Sequence, residues 1–201
     1  MGEAAAPVAR SPIAPAEPVA VIDGWEISTH RAVGPLRLAD LTPLAKVLVR
    51  AEPPFLGVAF GQAARDGHGT LVVGSGPDEW TLLGPPGSAA AIAARVPEAP
   101  FASVVDLTHG RALVRLTGPS AADLLAKVCA IDLGERVVPD GAAFRSAVAG
   151  LVTDVVRDDR GDRSYLLHCE RSSGRSLWDS LLDAGAELGV EVDGFPVEGR
   201  S

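Results

Sequence analysis

An α+β domain, built of antiparallel sheet units with helices packed on one face, is the fold class predicted by this chain. A pattern met three times along the sequence predicts it: two β-like runs joined by a turn, followed by an amphipathic helical segment. Composition agrees, since 47% apolar and 22% charged residues are globular values. At 201 residues the chain suits one medium domain plus a tail and needs no disulfide staples to bury a core.

Residues 1–20 are rich in Ala and Pro, with prolines at 7, 12, 15 and 18. Such a segment cannot bury enough surface to offset its ordering entropy, so a disordered tail is expected there. A single domain is expected over residues 21–198. Between residues 21 and 51 the signals are mixed. Leu41-Thr42-Pro43 reads as a turn or helix start, and Lys46-Val47-Leu48-Val49-Arg50 as a short strand closed by Pro53-Pro54. Residues 55–60 form another β-like run.

The first clear unit has a strand at residues 71–73, a turn at 74–78 and a second strand at 79–83. Gly84-Pro85-Pro86-Gly87 then opens a helix with Ala89, Ile92 and Val96 on one face. In the second unit, the run from Ser103 meets the next at a Gly110-Arg111 turn. Ala112, Val114 and Leu116 alternate with Arg111, Leu113, Arg115 and Thr117, the period of a half-buried strand. Gly118-Pro119-Ser120 begins a helix, with Ser120 and Asp123 at capping-box spacing and an inward stripe of Leu124, Leu125 and Val128. The third unit pairs strands at 151–157 and 165–170 across a turn at 158–162. Its helix carries Leu177, Leu181, Ala184 and Leu188 on one face, and Gly189 is placed to stop it.

Net charge of −8 disfavours nucleic acid and an anionic membrane surface, and 4% aromatics leave few base-stacking platforms. The two cysteines, Cys129 and Cys169, form no disulfide framework, which suits a reducing compartment. No run approaches the roughly 18 apolar residues of a membrane span, and no secretory leader is visible. A cytoplasmic location follows as the default.

The search for chemistry finds no complete catalytic set. Gly74-Ser75-Gly76 lacks the third glycine of a dinucleotide loop, because position 79 is Glu, and it joins strand to strand. No Gly-Lys-Ser/Thr phosphate loop and no Gly-x-Ser-x-Gly elbow occur. His30, His68, His109 and His168 are scattered, and His168 and Cys169 point to opposite faces of their strand, so they cannot share a metal. Cys129 reads as core packing. Asp154 is the carboxylate worth weighing, on one strand face with Val152 and Val156. It is either a buried functional group with a shifted pKa or a strand-end partner of loop amides or an arginine. The second reading is preferred, because structural pairs also shift pKa values. Catalytic, cofactor-binding and metal-binding residues are all expected to be none.

Residues 104–183 resemble the folate-binding aminomethyltransferase family of the glycine cleavage T-protein. The resemblance is carried by Asp106-Leu107-Thr108-His109-Gly110-Arg111, by Leu116-Thr117-Gly118-Pro119, by Gly150-Leu151-Val152-Thr153-Asp154 and by Tyr165-Leu166-Leu167-His168-Cys169. Adding Leu41-Thr42-Pro43-Leu44, Gly76-Pro77-Asp78-Glu79-Trp80, Cys129-Ala130-Ile131-Asp132-Leu133 and Cys169-Glu170-Arg171-Ser172, the chain is more closely similar to the γ subunits of heterotetrameric sarcosine oxidases. The family's first motif carboxylate, the catalytic one, falls on Thr153, and only Asp154 is retained. A threonine hydroxyl cannot act as a base or charge stabiliser at neutral pH. The chain also stops near the middle of the T-protein length.

The resemblance therefore implies the N-terminal part of a T-protein-like fold, in a non-catalytic γ subunit of a complex that oxidises sarcosine to glycine. Formaldehyde or methylenetetrahydrofolate and hydrogen peroxide are the implied further products. It implies no cofactor in this chain, with FAD, FMN, NAD, zinc and tetrahydrofolate in partner subunits. The implied main partner is the α subunit, with β and δ subunits in the complex. The alternatives are a stand-alone folate-binding or methyl-transfer protein, and a γ subunit for another N-methyl amino acid.

Overall fold

The computed structural model describes residues 7–196. Three strands, β1 (Ala9–Arg10), β2 (Val19–Ile22) and β3 (Trp25–Ser28), form a small sheet in the order β1-β3-β2. Asp23 and Gly24 both have positive φ, which makes the two-residue turn that matches strand twist between β2 and β3.

A six-stranded sheet comprises β4 (Arg37–Asp40), β10 (Arg111–Thr117), β11 (Ala143–Val148), β12 (Leu151–Arg157), β13 (Ser164–Glu170) and β14 (Glu191–Asp193). Its order is β11-β12-β13-β10-β4-β14, antiparallel except where β14 joins β4. A five-stranded antiparallel sheet, in the order β6-β7-β8-β5-β9, uses β5 (Ala45–Arg50), β6 (Ala63–Arg65), β7 (Leu71–Gly76), β8 (Glu79–Gly84) and β9 (Ser103–Asp106).

The two large sheets lie face to face. Leu71, Val73 and Leu83 of one meet Leu113, Val156 and Leu166 of the other, with Trp25 and Ile27 of the small sheet joining them. Helix α1 (Ala89–Ala93) covers the outer face of the five-stranded sheet, where Ile92 packs on Val47, Val49 and Leu82. Helices α2 (Ala121–Ala126) and α3 (Gly174–Gly185) cover the outer face of the six-stranded sheet through Leu124, Leu125, Leu177 and Leu181. The fold is mixed α+β with antiparallel sheets, and each large sheet carries helices on one face.

The structure corrects several local readings. Of the segment expected to be disordered, residues 1–6 lie outside the described part, but β1 pairs with β3 and Ile13 is buried among Leu38, Ala112 and Trp178. One large apolar side chain and a strand pairing are enough to hold an Ala/Pro-rich stretch that composition alone marks as unfoldable. Residues 55–60 form no strand, only a bridge from Phe60 to Gly74. The runs either side of Gly110-Arg111 do not pair with each other: β9 belongs to one sheet and β10 to the other. Leu113 is buried as fully as Ala112, because the second sheet covers the face that would otherwise meet water. Ser120 makes no side-chain cap.

Two glycines are dictated by close approach. A Cβ on Gly74 would lie 2.2 Å from the Ala59 carbonyl, so this glycine belongs to β7, and the turn itself is Pro77-Asp78. A Cβ on Gly118, at φ +139, would lie 2.2 Å from the Pro35 carbonyl.

Candidate functional site

The space between the two large sheets is apolar at its centre and charged at both ends. Strand β12 runs across it and sends Val152, Asp154 and Val156 to this face, from 73% exposed at Val152 to buried at Val156. The opposite face carries Thr153 and Val155 towards the helices. Asp154 and Thr153 thus occupy different layers, as strand alternation requires.

At the first end, register places Asp154 between Arg145 on β11 and His168 on β13. Arg145 donates two hydrogen bonds to the carboxylate, Nε to Oδ1 at 2.6 Å and Nη2 to Oδ2 at 3.1 Å. His168 Nδ1 lies 3.7 Å from Oδ2, an electrostatic contact beyond hydrogen-bond length. Burial pushes the Asp154 carboxyl up, but His168 and Arg145 together outweigh it and hold it below the usual carboxylate range. Burial pushes His168 below its ordinary value against the opposing pull of Asp154, and its Nε2 has no hydrogen-bond partner. The network crosses to the other sheet at Glu79, 3.7 Å from Arg145, which also accepts bonds from Arg50 at 2.8 and 3.0 Å.

Beside it lies Lys46, fully buried on β5. Its ammonium donates to the carbonyls of Thr42, Leu44 and Thr108 at 2.7, 2.8 and 3.1 Å. Burial lowers its pKa to about 7, although Asp40 and Asp106 pull the other way.

The second end is organised by Asp158, just past β12. Arg115 Nη2 donates to it at 2.6 Å, Arg65 Nη2 at 2.9 Å and Arg160 Nε at 3.3 Å. Three guanidiniums hold this carboxyl low despite its burial. They floor a cleft of about 620 Å³ whose walls include Leu41, Leu71, Leu83 and Phe195. Such a volume falls in the range of small-molecule pockets.

The remaining residues weighed in the sequence lie apart. His30 and His68 are exposed, and His109 stacks on Trp25 with centroids 4.9 Å apart. Cys169 faces the helix layer, where burial pushes its thiol up to about 11, and Cys129 is a second free buried thiol. Thr153 Oγ1 donates to the Leu151 carbonyl of its own strand. Among the described residues no three His, Cys, Asp or Glu side chains converge as a metal set, and no helix is long and apolar enough to cross a membrane.

Lys46 and the arginines around Asp158 were not singled out in the sequence. Lys46 shares a period-two face with Leu48 and Arg50, the pattern of a solvated side, and its ammonium is instead taken up by carbonyls of the turn before β5 and of the distant Thr108. The three arginines come from three separate segments, and nothing local links Arg65 or Arg115 to Asp158.

Comparison with known proteins matches residues 84–196 to the family described as GCVT N-terminal domain. Sarcosine oxidase subunit gamma of Corynebacterium sp. (strain P-1) is 29% identical over 74% of this chain and 70% of its own length. Sarcosine oxidase subunit gamma of Corynebacterium sp. (strain U-96) is 28% identical over 89% of this chain and 91% of its own length. A chain of the solved heterotetrameric sarcosine oxidase from Corynebacterium sp. U-96, in complex with pyrrole 2-carboxylate, superposes with a TM-score of 0.67 at 25% identity. That superposition covers 80% of this chain and 90% of the other.

Proposed function

Because this chain belongs to the GCVT N-terminal domain family, we propose that it works as a γ-type subunit of a heterotetrameric sarcosine oxidase, joined to larger chains and performing no chemistry of its own. The observation that carries the reading is the similarity to sarcosine oxidase gamma subunits along nearly the full length of both chains. On this reading the α subunit is the main contact, with β and δ subunits in the same complex. The flavins, NAD and zinc reside in those partners, where sarcosine is oxidised to glycine with formaldehyde or methylenetetrahydrofolate and peroxide as products. The complex then works in the cytoplasm.

The site supports a structural role. Tetrahydrofolate is the group the family resemblance implies, and these residues do not fit methyl transfer. Thr153 stands where the family has its first carboxylate and faces the helix layer, while Asp154 is engaged by Arg145. The charged clusters tie one sheet to the other: Arg145 reaches Glu79, and Arg65 and Arg115 meet on Asp158 from different sheets.

The test is purification of the tagged chain from its native cell, followed by native mass measurement and a sarcosine-dependent peroxide assay. A complex with a larger flavin-bearing chain is expected, and the separated chain should be colourless and inactive. A monomer with no co-purifying chain, or turnover by the chain alone, would sink the reading. The cleft lined by Arg65, Arg115 and Arg160 favours one second reading, a small-molecule-binding member of the family; micromolar binding of tetrahydrofolate to the chain alone would support it.

A further inference from the structure

Strand β9 ends the five-stranded sheet and pairs on one side only, with β5. The Leu107 amide donates to the Lys46 carbonyl at 2.8 Å. In an antiparallel ladder, facing residues alternate between exchanging both bonds and exchanging none. The facing pairs Leu48–Val105 and Arg50–Ser103 therefore bond, and the amides and carbonyls of Val104 and Asp106 point away from β5. Nothing among the described residues takes them up.

The side chains match that open edge. Val104 faces the side of Val49 and α1, Val105 the side of Leu48 and the other sheet, yet they are 39% and 46% exposed. Edge strands bordering water are normally kept short or guarded by charge, proline or a bulge; Ser103–Asp106 is short and ends in Asp106, but its two central residues are valines with no lysine, proline or bulge beside them. Apolar residues on both faces mark a strand whose two faces are covered, yet α1 and the other sheet leave both valines part-exposed towards the open edge. Immediately before it, Phe101 is 91% exposed and held at φ +61, a backbone conformation rare for a bulky residue.

We propose that the outer edge of β9 receives an extended apolar segment of the partner chain, which adds a sixth strand to this sheet and packs against Phe101. This rests on the heteromeric reading above and names its contact surface. The open backbone groups of Val104 and Asp106 specify a strand as the occupant, and the valines on both faces specify apolar side chains on that strand. Pro97 and Pro100 stop the edge on its N-terminal side, so the added strand spans about four residues of β9.

Hydrogen exchange in the purified complex and in the separated chain, read residue by residue, tests the inference. The Val104 and Asp106 amides should exchange at least about 100-fold more slowly in the complex, while those of Ser103 and Val105 are protected in both states. Val104→Pro removes an outward donor without touching the bonds to β5. It should lower recovery of the partner at least about tenfold, whereas Val104→Thr, which keeps the donor, should not. Equal exchange of Val104 and Asp106 in the two states, with the complex intact, overturns the strand addition and leaves the subunit reading standing. A wild-type chain recovered alone overturns both. A homodimer broken by Val104→Pro would make a second copy the occupant and overturn the proposal as stated.

Discussion

Asp154 and His168 stand opposite each other on β12 and β13, with His168 Nδ1 3.7 Å from Asp154 Oδ2 inside the space between two sheets. The carboxylate is charged and the imidazole neutral, because Arg145 supplies the countercharge and burial opposes a second cation. A pair that resembles a catalytic dyad in composition is, in this arrangement, part of the bracing between layers.

The pair makes stability depend on pH in two separate windows. His168 is held below its ordinary value of 6.5, so just below pH 6.5 the unfolded chain binds more protons than the folded one. Stability should fall as pH drops from 6.5 towards the folded value, with a slope of up to about 1.4 kcal/mol per pH unit. His168→Gln should flatten this slope in urea titrations between pH 5 and 7.5. Asp154, lowered from 3.8, contributes stability that is present above pH 3.8 and is lost on further acidification through its folded value.

Lys46 acts on the alkaline side. Its folded value of about 7 lies under its ordinary 10.5, so between these the unfolded chain again binds more protons and stability should rise with pH. Lys46→Met should abolish that rise. At neutral pH the loss of a donor for three buried carbonyls is opposed by relief of the buried charge, so the variant should be weakened more at pH 9.5 than at pH 7. Denaturant midpoints at pH 7 and 9.5 separate the two effects.

Asp158→Asn removes the charge shared by Arg65, Arg115 and Arg160. Leaving those guanidiniums partly buried without it should cost about 3 kcal/mol, visible as a lower melting temperature. Arg160→Ala, an exposed member of the cluster, should cost under about 1 kcal/mol.

Thr153→Asp supplies the carboxylate that the family resemblance implies at this position, but places it at a fully buried position on the helix side. A loss of about 3 kcal/mol or more is expected, and no methyl transfer. Calorimetry with tetrahydrofolate should show no micromolar binding to the wild-type chain alone. A micromolar affinity abolished by Asp154→Ala would reverse the assignment of Asp154 to bracing.

Alternation on β12 is a local property, so the division of Thr153 and Asp154 between faces follows from residue order alone. So do the α3 stripe of Leu177 and Leu181 and the hairpins β7–β8 and β12–β13, whereas α3 itself ends at Gly185 and Gly189, at φ +70, closes the 3-10 turn Ala186–Leu188 that follows. Each needs nothing beyond chain spacing and turn chemistry.

What the chain sets against what is a matter of long-range contacts. That β9 and β10 part into different sheets, that Lys46 is buried and that Ile13 anchors the N-terminal segment depend on partners far away in sequence. The same holds for Arg65 and Arg115 gathered on Asp158, since periodicity reports which side of a strand a residue takes and is silent on what covers that side. Local spacing therefore determined the clearest hairpins and helices and the facing of their side chains, while stacking of the two sheets decided which polar faces became interior and which strand edge was left open.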